Sequence, residues 1–175
     1  MNMELNRYGV TLRRLTTDKI ELVRNWRNDP KISNYMFFKE YITQEMQLTW
    51  FNQVNNDLNY YFIINYKNEE IGLINLKNID KQKNCAEGGI FIYDEKYLNS
   101  DIAFRSSFCI NDFAFEELYL NFIYAEIVPD NKRAIQYNKA LGFKIEASKD
   151  NKSLLATLTR ENYFKQRNKY ARILI

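Results

Sequence analysis

The sequence predicts an α/β (α+β) protein in which helices flank one mixed, mostly antiparallel sheet of seven strands. Between residues 60 and 93, three apolar segments are separated by short polar turns, a pattern typical of an antiparallel meander. Between residues 101 and 118, apolar side chains occur on most sides of one helix, which is therefore expected to pack against the sheet. The 175 residues suit a single domain, spanning residues 1–175.

The first part of the chain is expected to form a strand followed by two helices. Apolar and polar residues alternate over residues 10–15, as they do in a short strand. Asp18 and Glu21 have the spacing of a capping box, which predicts that the first helix begins there and is interrupted near Pro30. Thr43 is expected to cap the second helix, because its hydroxyl can accept a hydrogen bond from a free backbone N–H.

The remaining elements follow from the same periodicities and from the turn residues between them. Gly142 is expected to end the helix that precedes it. In chain order, the prediction is strands over residues 60–66, 71–79 and 85–93, a long helix over 101–118, a strand over 121–128, a helix over 131–141, a strand from 143, a strand over 154–158 and a helical tail from 160.

The chain contains no histidine and two cysteines, which excludes several kinds of catalytic site. Without histidine there is no Ser-His-Asp or Cys-His machinery, no imidazole base and no histidine-ligated zinc. Cys85 and Cys109 are too few for a cysteine-only zinc site, and no metal is expected. Catalysis must therefore depend on tyrosine, carboxylates, lysine, serine, a single cysteine or the backbone.

Composition also indicates where the protein works. The N-terminus lacks the basic start and apolar run of a secretory signal, and no apolar stretch is as long as a membrane span. Both cysteines lie in apolar surroundings and are expected to be buried thiols. A net charge of +3 gives little reason to expect a nucleic-acid partner. The sequence thus favours a cytoplasmic protein that acts on neither nucleic acid nor membrane.

The most specific motif is Asn-Lys-Arg-Ala-Ile-Gln-Tyr-Asn-Lys-Ala-Leu-Gly-Phe over residues 131–143, preceded by Val-Pro-Asp. Together with the order of elements, it resembles the signature of the GNAT superfamily of acetyl-CoA-dependent N-acetyltransferases. The resemblance extends from about Tyr8 to Arg172. It implies a GNAT fold with a splayed central strand pair.

Two further blocks narrow the resemblance to one branch of that superfamily. Asn-Trp-Arg-Asn-Asp-Pro over residues 25–30, Met36 and Trp50-Phe51 resemble a pattern of ribosomal-protein N-terminal acetyltransferases and nucleotide-sugar N-acetyltransferases. Residues 157–164 resemble the C-terminal block of the nucleotide-sugar group, such as the pseudaminic-acid pathway type, which acts on a UDP-4-amino sugar.

The resemblance implies that acetyl-CoA lies in the wedge where residues 88–93 splay from residues 122–128. Its pantetheine arm would pair with the backbone of Ile90, Phe91 and Ile92, and an N–H near Ile90 would polarise the thioester carbonyl. The diphosphate would lie at the start of the long helix and beside the 131–143 motif, which gives as cofactor-binding residues Asn99, Ser100, Asp101, Ile102, Ala103, Asn131 and Ala134.

The diphosphate loop departs from the family pattern Q/R-x-x-G-x-G/A. The corresponding residues 98–103 contain no glycine, and only Ala103 fits. Asp101 replaces the first glycine, and its carboxylate could cap the helix and compete with a phosphate for the same N–H groups. Two alternatives follow, a weaker CoA site or a relative that has lost catalysis.

Acetyl transfer from a thioester to an amine needs a proton donor for the leaving thiolate and a route for the proton of the amine. The resemblance places the phenol of Tyr137 as that proton donor. Glu87 and Glu126, on the two strands that splay, are both candidates for a base that acts through water. On the acceptor side, the expected substrate contacts are Arg27, Met36, Phe37, Phe38 and Gln47, with Gln47 where relatives often have histidine.

The sequence therefore predicts an N-acetyltransferase that transfers acetyl directly from acetyl-CoA to a primary amine, with a nucleotide-linked amino sugar as the preferred acceptor. The first alternative is a peptide or ribosomal-protein N-terminus as acceptor. The second is a non-catalytic GNAT-like module that binds a ligand or a partner. A homodimer remains open.

Overall fold

The structure is a computed structural model that describes residues 3–170, in which eight strands form one sheet. The spatial order of the strands is β1-β2-β3-β4-β5-β6-β8-β7, and only the β5–β6 pair is parallel. Their bounds are β1 Glu4–Arg7, β2 Val10–Arg14, β3 Tyr60–Tyr66, β4 Glu69–Asp80, β5 Cys85–Ile92, β6 Phe122–Ile127, β7 Lys144–Ala147 and β8 Leu154–Thr159. The mixed, mostly antiparallel sheet is confirmed.

Six helices accompany the sheet within the described residues. They are α1 Ile20–Asn28, the single turn α2 Pro30–Ser33, α3 Gln44–Val54, α4 Ile102–Asp112, α5 Lys132–Ala140 and α6 Arg160–Tyr170. In this part of the chain, none of them combines the length and apolarity needed to cross a membrane. The resemblance extended to Arg172, which lies outside the described residues, as do both ends of the predicted domain.

The eighth strand is β1, so the predicted count of seven is one too low. β1 pairs antiparallel with β2 through a tight turn in which Tyr8 and Gly9 both have positive φ, 58° and 72°. Leu5 is its one apolar residue, so the strand has almost no hydrophobic alternation. Backbone pairing with β2 holds the strand in the sheet, and hydrophobic periodicity does not reveal such pairing.

Two helix boundaries also differ from the prediction. The capping box at Asp18 and Glu21 does not form, because Asp18 accepts a hydrogen bond from the Thr16 hydroxyl (2.6 Å) in a 3₁₀ turn, and α1 begins at Ile20. The helix expected over residues 101–118 ends as an α-helix at Asp112 and continues as a π turn to Glu117. The cap at Thr43 is confirmed, since its hydroxyl accepts from the Met46 N–H (3.2 Å).

The two faces of the sheet carry different helices. One face, with Ile63 and Leu73 buried at its centre, is covered by α1 and α3 through Val23, Trp26 and Phe51. The opposite face carries the larger core, in which α4 packs on strands β1, β2, β4 and β5 and α6 adds Tyr163. The sheet therefore separates the side chains near α4 from those near α1 and α3.

A buried carboxylate joins α4 to its neighbours. Asp112 is 2% exposed and accepts hydrogen bonds from the Tyr8 hydroxyl (2.5 Å), the Tyr163 hydroxyl (2.6 Å) and Arg167 Nη1 (2.7 Å). A buried charge needs such partners, since an unpaired one is costly. Asp112 thereby fixes the β1–β2 hairpin and α6 around the helix whose first turn borders the site.

Candidate active site

The sheet opens between β5 and β6. Their parallel pairing covers three residues of β5, Cys85 to Glu87, after which the strands diverge. From Gly88 to Ile92, β5 pairs with β4 on one side and has no strand on the other. Backbone N–H and C=O groups on that open edge need a partner, and an extended ligand can supply it. The expected splay is confirmed.

The two glycines at the point of divergence are closely packed by neighbouring side chains. A Cβ at Gly88 would lie 2.9 Å from Ile123 Cγ2, and one at Gly89 would lie 3.0 Å from Asn75 Oδ1. Both glycines therefore let the backbone and a neighbouring side chain lie close together. Beyond them, Ile90 and Ile92 belong to the core under α4, whereas Phe91 belongs to the cluster under α1 and α3.

The first turn of α4 borders the open edge, and Asp101 does not occupy its N–H groups. The Asp101 carboxylate accepts from Arg105 Nε (2.7 Å) and makes no capping hydrogen bond to the helix. The expected competition with a phosphate is thus not seen. Ile102 N–H donates to Ser100 Oγ (3.3 Å), which leaves the Ala103 N–H among the free donors at this helix end.

The start of α5 is tied to the loop before α4. Arg133 Nη2 donates to Asn99 Oδ1 (3.1 Å), and Asn131 caps α5 by accepting from the Ala134 N–H (3.0 Å). The structure thus brings the predicted diphosphate residues of both segments together. Arg133, which the sequence reasoning did not single out, adds a guanidinium at this place.

Tyr137 projects from α5 toward α4, on the same side of the sheet as the diphosphate residues. Its phenol donates to the Ala103 carbonyl (2.8 Å) and shares a hydrogen bond with Ser107 Oγ (2.6 Å). Its ring packs on Phe104, with centroids 4.9 Å apart. Burial raises the pKa of Tyr137 well above its ordinary value, so the phenol is protonated at neutral pH. Ser107 is a contact that no sequence motif indicated.

The two candidate bases differ in their surroundings. Glu87 forms an ion pair with Lys77 Nζ (2.8 Å) and accepts from Asn78 Nδ2 (3.0 Å). Glu126 is exposed on β6. Glu87 is the register partner of Tyr124, and Glu126 lies two residues farther along, so both carboxylates face the α1 and α3 side.

Arg27 lies on that same side, beside Tyr61 of β3. Its Nε is buried and, with Asn75 Nδ2, is one of two such side-chain atoms within residues 3–170 that have no hydrogen-bond partner. Burial lowers the pKa of Arg27, with the Tyr61 phenol acting in the opposite direction. Burial, together with the charge of Glu87, raises the pKa of Tyr61 to about 12. Arg27, Tyr61 and Glu87 therefore share one polar region.

The other predicted acceptor contacts separate into two groups. Phe37 and Phe38 are 55% and 44% exposed in the segment between α2 and α3, where Met36 is half-buried. Gln47, in contrast, is 3% exposed and donates through Nε2 to the Ile20 carbonyl (2.9 Å). The Gln47 amide is therefore buried and joins α3 to α1, and its contact with substrate stays a prediction.

The structure thus places two sets of polar groups on opposite faces of one opening. The residues predicted to bind the diphosphate lie with Tyr137 on the α4 and α5 side, and Arg27, Glu87 and Glu126 lie on the other. Asn75 was not among the predicted site residues. An asparagine within an apolar strand is unusual, and this feature of the sequence could have indicated it.

Comparison with known proteins identifies this architecture. A family model described as an acetyltransferase (GNAT) domain matches residues 10–144. Acetyltransferase PseH from Campylobacter jejuni subsp. jejuni serotype O:2 is 30% identical over 132 residues, which covers 75% of this chain and 80% of the relative.

Two further similarities differ in the acceptor that they name. Spermidine N(1)-acetyltransferase from Escherichia coli K12 is 26% identical over 140 residues, covering 79% of this chain and 75% of that protein. The solved structure of apo FdhC, described as a nucleotide-linked sugar GNAT, is 20% identical and superposes with a TM-score of 0.81, covering 100% of both chains. At that identity, the structural likeness speaks for the fold alone.

Proposed function

This chain belongs to the GNAT family of acetyltransferases, and we propose that it transfers acetyl from acetyl-CoA to the primary amine of a nucleotide-linked amino sugar. That it is an N-acetyltransferase using acetyl-CoA follows from the family. The acceptor is the proposed part. The observation that carries it is Arg27, whose buried Nε has no partner on the acceptor side of the opening.

The charges on the acceptor side favour an anionic acceptor over a polyamine. Arg27 keeps its positive charge in any protein environment, and a guanidinium is suited to a phosphate. Glu87, the partly buried carboxylate near Tyr61, is neutralised by Lys77. A polycation would therefore meet an unpaired positive charge, whereas a nucleotide diphosphate would neutralise it.

The relatives support more than one acceptor, which makes the polyamine the second candidate. Spermidine N(1)-acetyltransferase of E. coli shares 26% identity with this chain. Acetyltransferase PseH of C. jejuni, at 30% identity, supports an amino-sugar acceptor, whereas the likeness to FdhC speaks for the fold alone. The motif over residues 157–164 favours the sugar, as does the position of Arg27.

Acetyl-CoA fits the other side of the opening. The unpaired edge of β5 over residues 88–92 suits its pantetheine arm, and the free N–H groups of α4 suit its diphosphate. The loop lacks the glycines of the family pattern, but Arg133, held by Asn99, supplies a positive charge beside it. We propose that these contacts retain CoA binding despite the altered loop.

The proposed reaction begins with the neutral amine attacking the thioester carbonyl carbon. The new C–N bond places negative charge on the carbonyl oxygen, and a backbone N–H near Ile90 stabilises it. The C–S bond then breaks, and Tyr137 gives its phenolic proton to the departing sulfur. The proton released by the nitrogen passes to water, and the phenol is restored from solvent.

Ser107 assists this proton transfer in the proposed mechanism. Its hydroxyl lies 2.6 Å from the Tyr137 oxygen. As the phenol loses its proton, Ser107 can donate to the developing phenolate, and this hydrogen bond favours the charged form.

The ammonium form of the acceptor must lose a proton before attack, and we propose that Glu126, acting through water, accepts this proton in preference to Glu87. Glu126 is exposed on the correct side of the sheet, whereas both oxygens of Glu87 are engaged, one with Lys77 and one with Asn78. A free alkylamine is mostly protonated at neutral pH, so the base must remove a proton before attack.

The acceptor is tested with a panel of amines and a direct measurement of released CoA thiol. UDP- and dTDP-linked amino sugars, spermidine and short peptides with free N-termini are compared at equal concentration. We expect a UDP-amino sugar to give the highest kcat/KM. A higher value with spermidine would contradict the proposed acceptor, and turnover of peptides alone would favour the N-terminal alternative. Calorimetry that detects no acetyl-CoA binding at millimolar concentration would favour the non-catalytic module.

Replacing Asp101 with asparagine is expected to tighten CoA binding roughly two- to fivefold, because it removes a negative charge from a helix N-terminus that receives a phosphate. Asp101 is turned toward Arg105 and does not hold the helix N–H groups, so the effect is small. Calorimetric titration with CoA at two salt concentrations measures it. A loss of affinity would show that the Asp101–Arg105 pair organises the site.

Three wider expectations complete the proposal. Residues 1–175 are proposed to form one domain, because the described sheet extends from β1 near the start to β8 and α6 near the end. We place the protein in the cytoplasm, where acetyl-CoA is available. Sedimentation would measure whether the protein forms a homodimer.

A further inference from the structure

One polar side chain lies at the centre of the sheet, close to the opening. Asn75 occupies the middle of β4 and is the register partner of Tyr61 on β3 and of Gly89 on β5. Side chains paired in this way share a face, so Asn75 lies on the α1 and α3 side, next to the row of Ile63, Leu73 and Phe91 that those helices cover.

The amide of Asn75 lies over the backbone of Gly89. A Cβ built on that glycine would be 3.0 Å from Asn75 Oδ1 and 3.5 Å from Nδ2. Gly89 is the second residue after the last β5–β6 pair, and Ile90 follows it. The Asn75 amide is therefore adjacent to the strand segment where the thioester and the amine must meet.

This amide is incompletely satisfied within the protein. Asn75 Nδ2 is buried and has no hydrogen-bond partner in the described chain, as is true of Arg27 Nε on the same side. A buried donor without a partner costs roughly 1–3 kcal/mol. Such a cost is retained at a binding site when a ligand supplies the missing acceptor.

We propose that Asn75 determines acceptor specificity by donating a hydrogen bond from Nδ2 to an oxygen that neighbours the reacting amine. The inference rests on the proposed function and deepens it, because it states which chemistry the acceptor must carry. An amino sugar has hydroxyl oxygens beside its amine. A polyamine has methylene groups there and leaves the donor unpaired.

Gly89 is part of the same arrangement. Any larger residue would displace the Asn75 amide, because its Cβ would already contact Oδ1 more closely than most real Cβ contacts. Together, the glycine leaves room at the opening, the asparagine supplies a donor, and Arg27 supplies a cation. A hydroxylated, anionic amine satisfies all three.

The test uses two variants of the full chain, Asn75→Ala and the nearly isosteric Asn75→Asp. Both remove the amide donor. For a UDP-linked amino sugar, each is expected to lower kcat/KM at least about tenfold, whereas kcat/KM for spermidine is unchanged in Asn75→Ala and rises in Asn75→Asp. Asn52→Ala, an exposed asparagine on α3, is the control and is expected to leave all values unchanged.

Thermal unfolding separates specificity from a structural role. Because Nδ2 has no partner, Asn75→Ala is expected to keep or raise the melting temperature. A lowered melting temperature, or equal losses with sugar and spermidine, would show that Asn75 supports the fold and would overturn the inference. An unchanged kcat/KM with the sugar would overturn it while leaving the proposed function intact. A wild-type chain that acetylates no amino sugar would overturn both.

Discussion

Replacing Tyr137 with phenylalanine is expected to lower kcat about 100- to 1000-fold with little change in the dissociation constant of CoA. In the proposed mechanism the phenol gives its proton to the departing thiolate, and general acid catalysis contributes on this scale. The α5 position directs the side chain to α4, and its raised pKa keeps the donor protonated at neutral pH. Steady-state kinetics and CoA calorimetry measure the two quantities.

The ring itself should remain in place in this variant, because it packs on Phe104. Loss of the hydroxyl removes hydrogen bonds to the Ala103 carbonyl and Ser107, so a modest decrease in melting temperature is expected. Ser107→Ala serves as the matched comparison. It should lower kcat by a smaller factor, because the phenol remains. Unchanged turnover in Tyr137→Phe would remove the phenol from the mechanism.

Replacing Arg27 with methionine is expected to raise KM for a nucleotide-linked amino sugar roughly 10- to 100-fold, with a smaller effect on kcat. Methionine keeps most of the apolar stem of arginine and removes its charge and donors. Charge-assisted hydrogen bonds to a phosphate are among the stronger polar contacts, and burial strengthens them. Kinetics with the sugar and with spermidine measure the change, and spermidine should be used equally well or better.

Stability gives the control for Arg27. Its Nε is buried without a partner, so the free protein should not lose melting temperature when the charge is removed. Arg13→Met is the matched surface variant, since Arg13 forms an exposed pair with Glu4, and no kinetic change is expected there. A melting temperature that decreases together with sugar turnover would assign Arg27 to packing instead of recognition.

Most elements of the fold could be predicted from the sequence because their hydrophobic patterns are local. The meander of β3 to β5 and the helix α5 with its cap at Asn131 are of this kind. Strand β1 could not be predicted, because its single apolar residue makes no pattern and its pairing with β2 holds it in the sheet. The missing capping box at Asp18 shows the same limit, because Thr16 competes for the carboxylate.

Residues of the candidate site could be predicted only where they belong to a recognisable sequence motif. The 131–143 motif located Tyr137, and the structure places it beside the predicted diphosphate residues. The burial of Gln47 could not be predicted, because sequence position reports neither the depth nor the direction of a side chain; its amide joins α3 to α1. Whether Asp101 caps the helix depends on its side-chain rotamer, which the sequence does not show. Its carboxylate is turned toward Arg105, four residues along the helix.

The sequence by itself determined the family, the use of acetyl-CoA and the exclusion of histidine chemistry. The first two follow from the resemblance carried by the 131–143 motif and the order of elements, and the third follows from the absence of histidine. Only the tertiary structure decided that Glu87 is paired with Lys77, that Arg27 Nε and Asn75 Nδ2 are buried without hydrogen-bond partners within residues 3–170, and that these two residues lie across the sheet from Tyr137. The physical reason is that hydrogen-bond satisfaction and burial depend on neighbours supplied by distant segments, and those neighbours exist only after the strands have paired and the helices have packed.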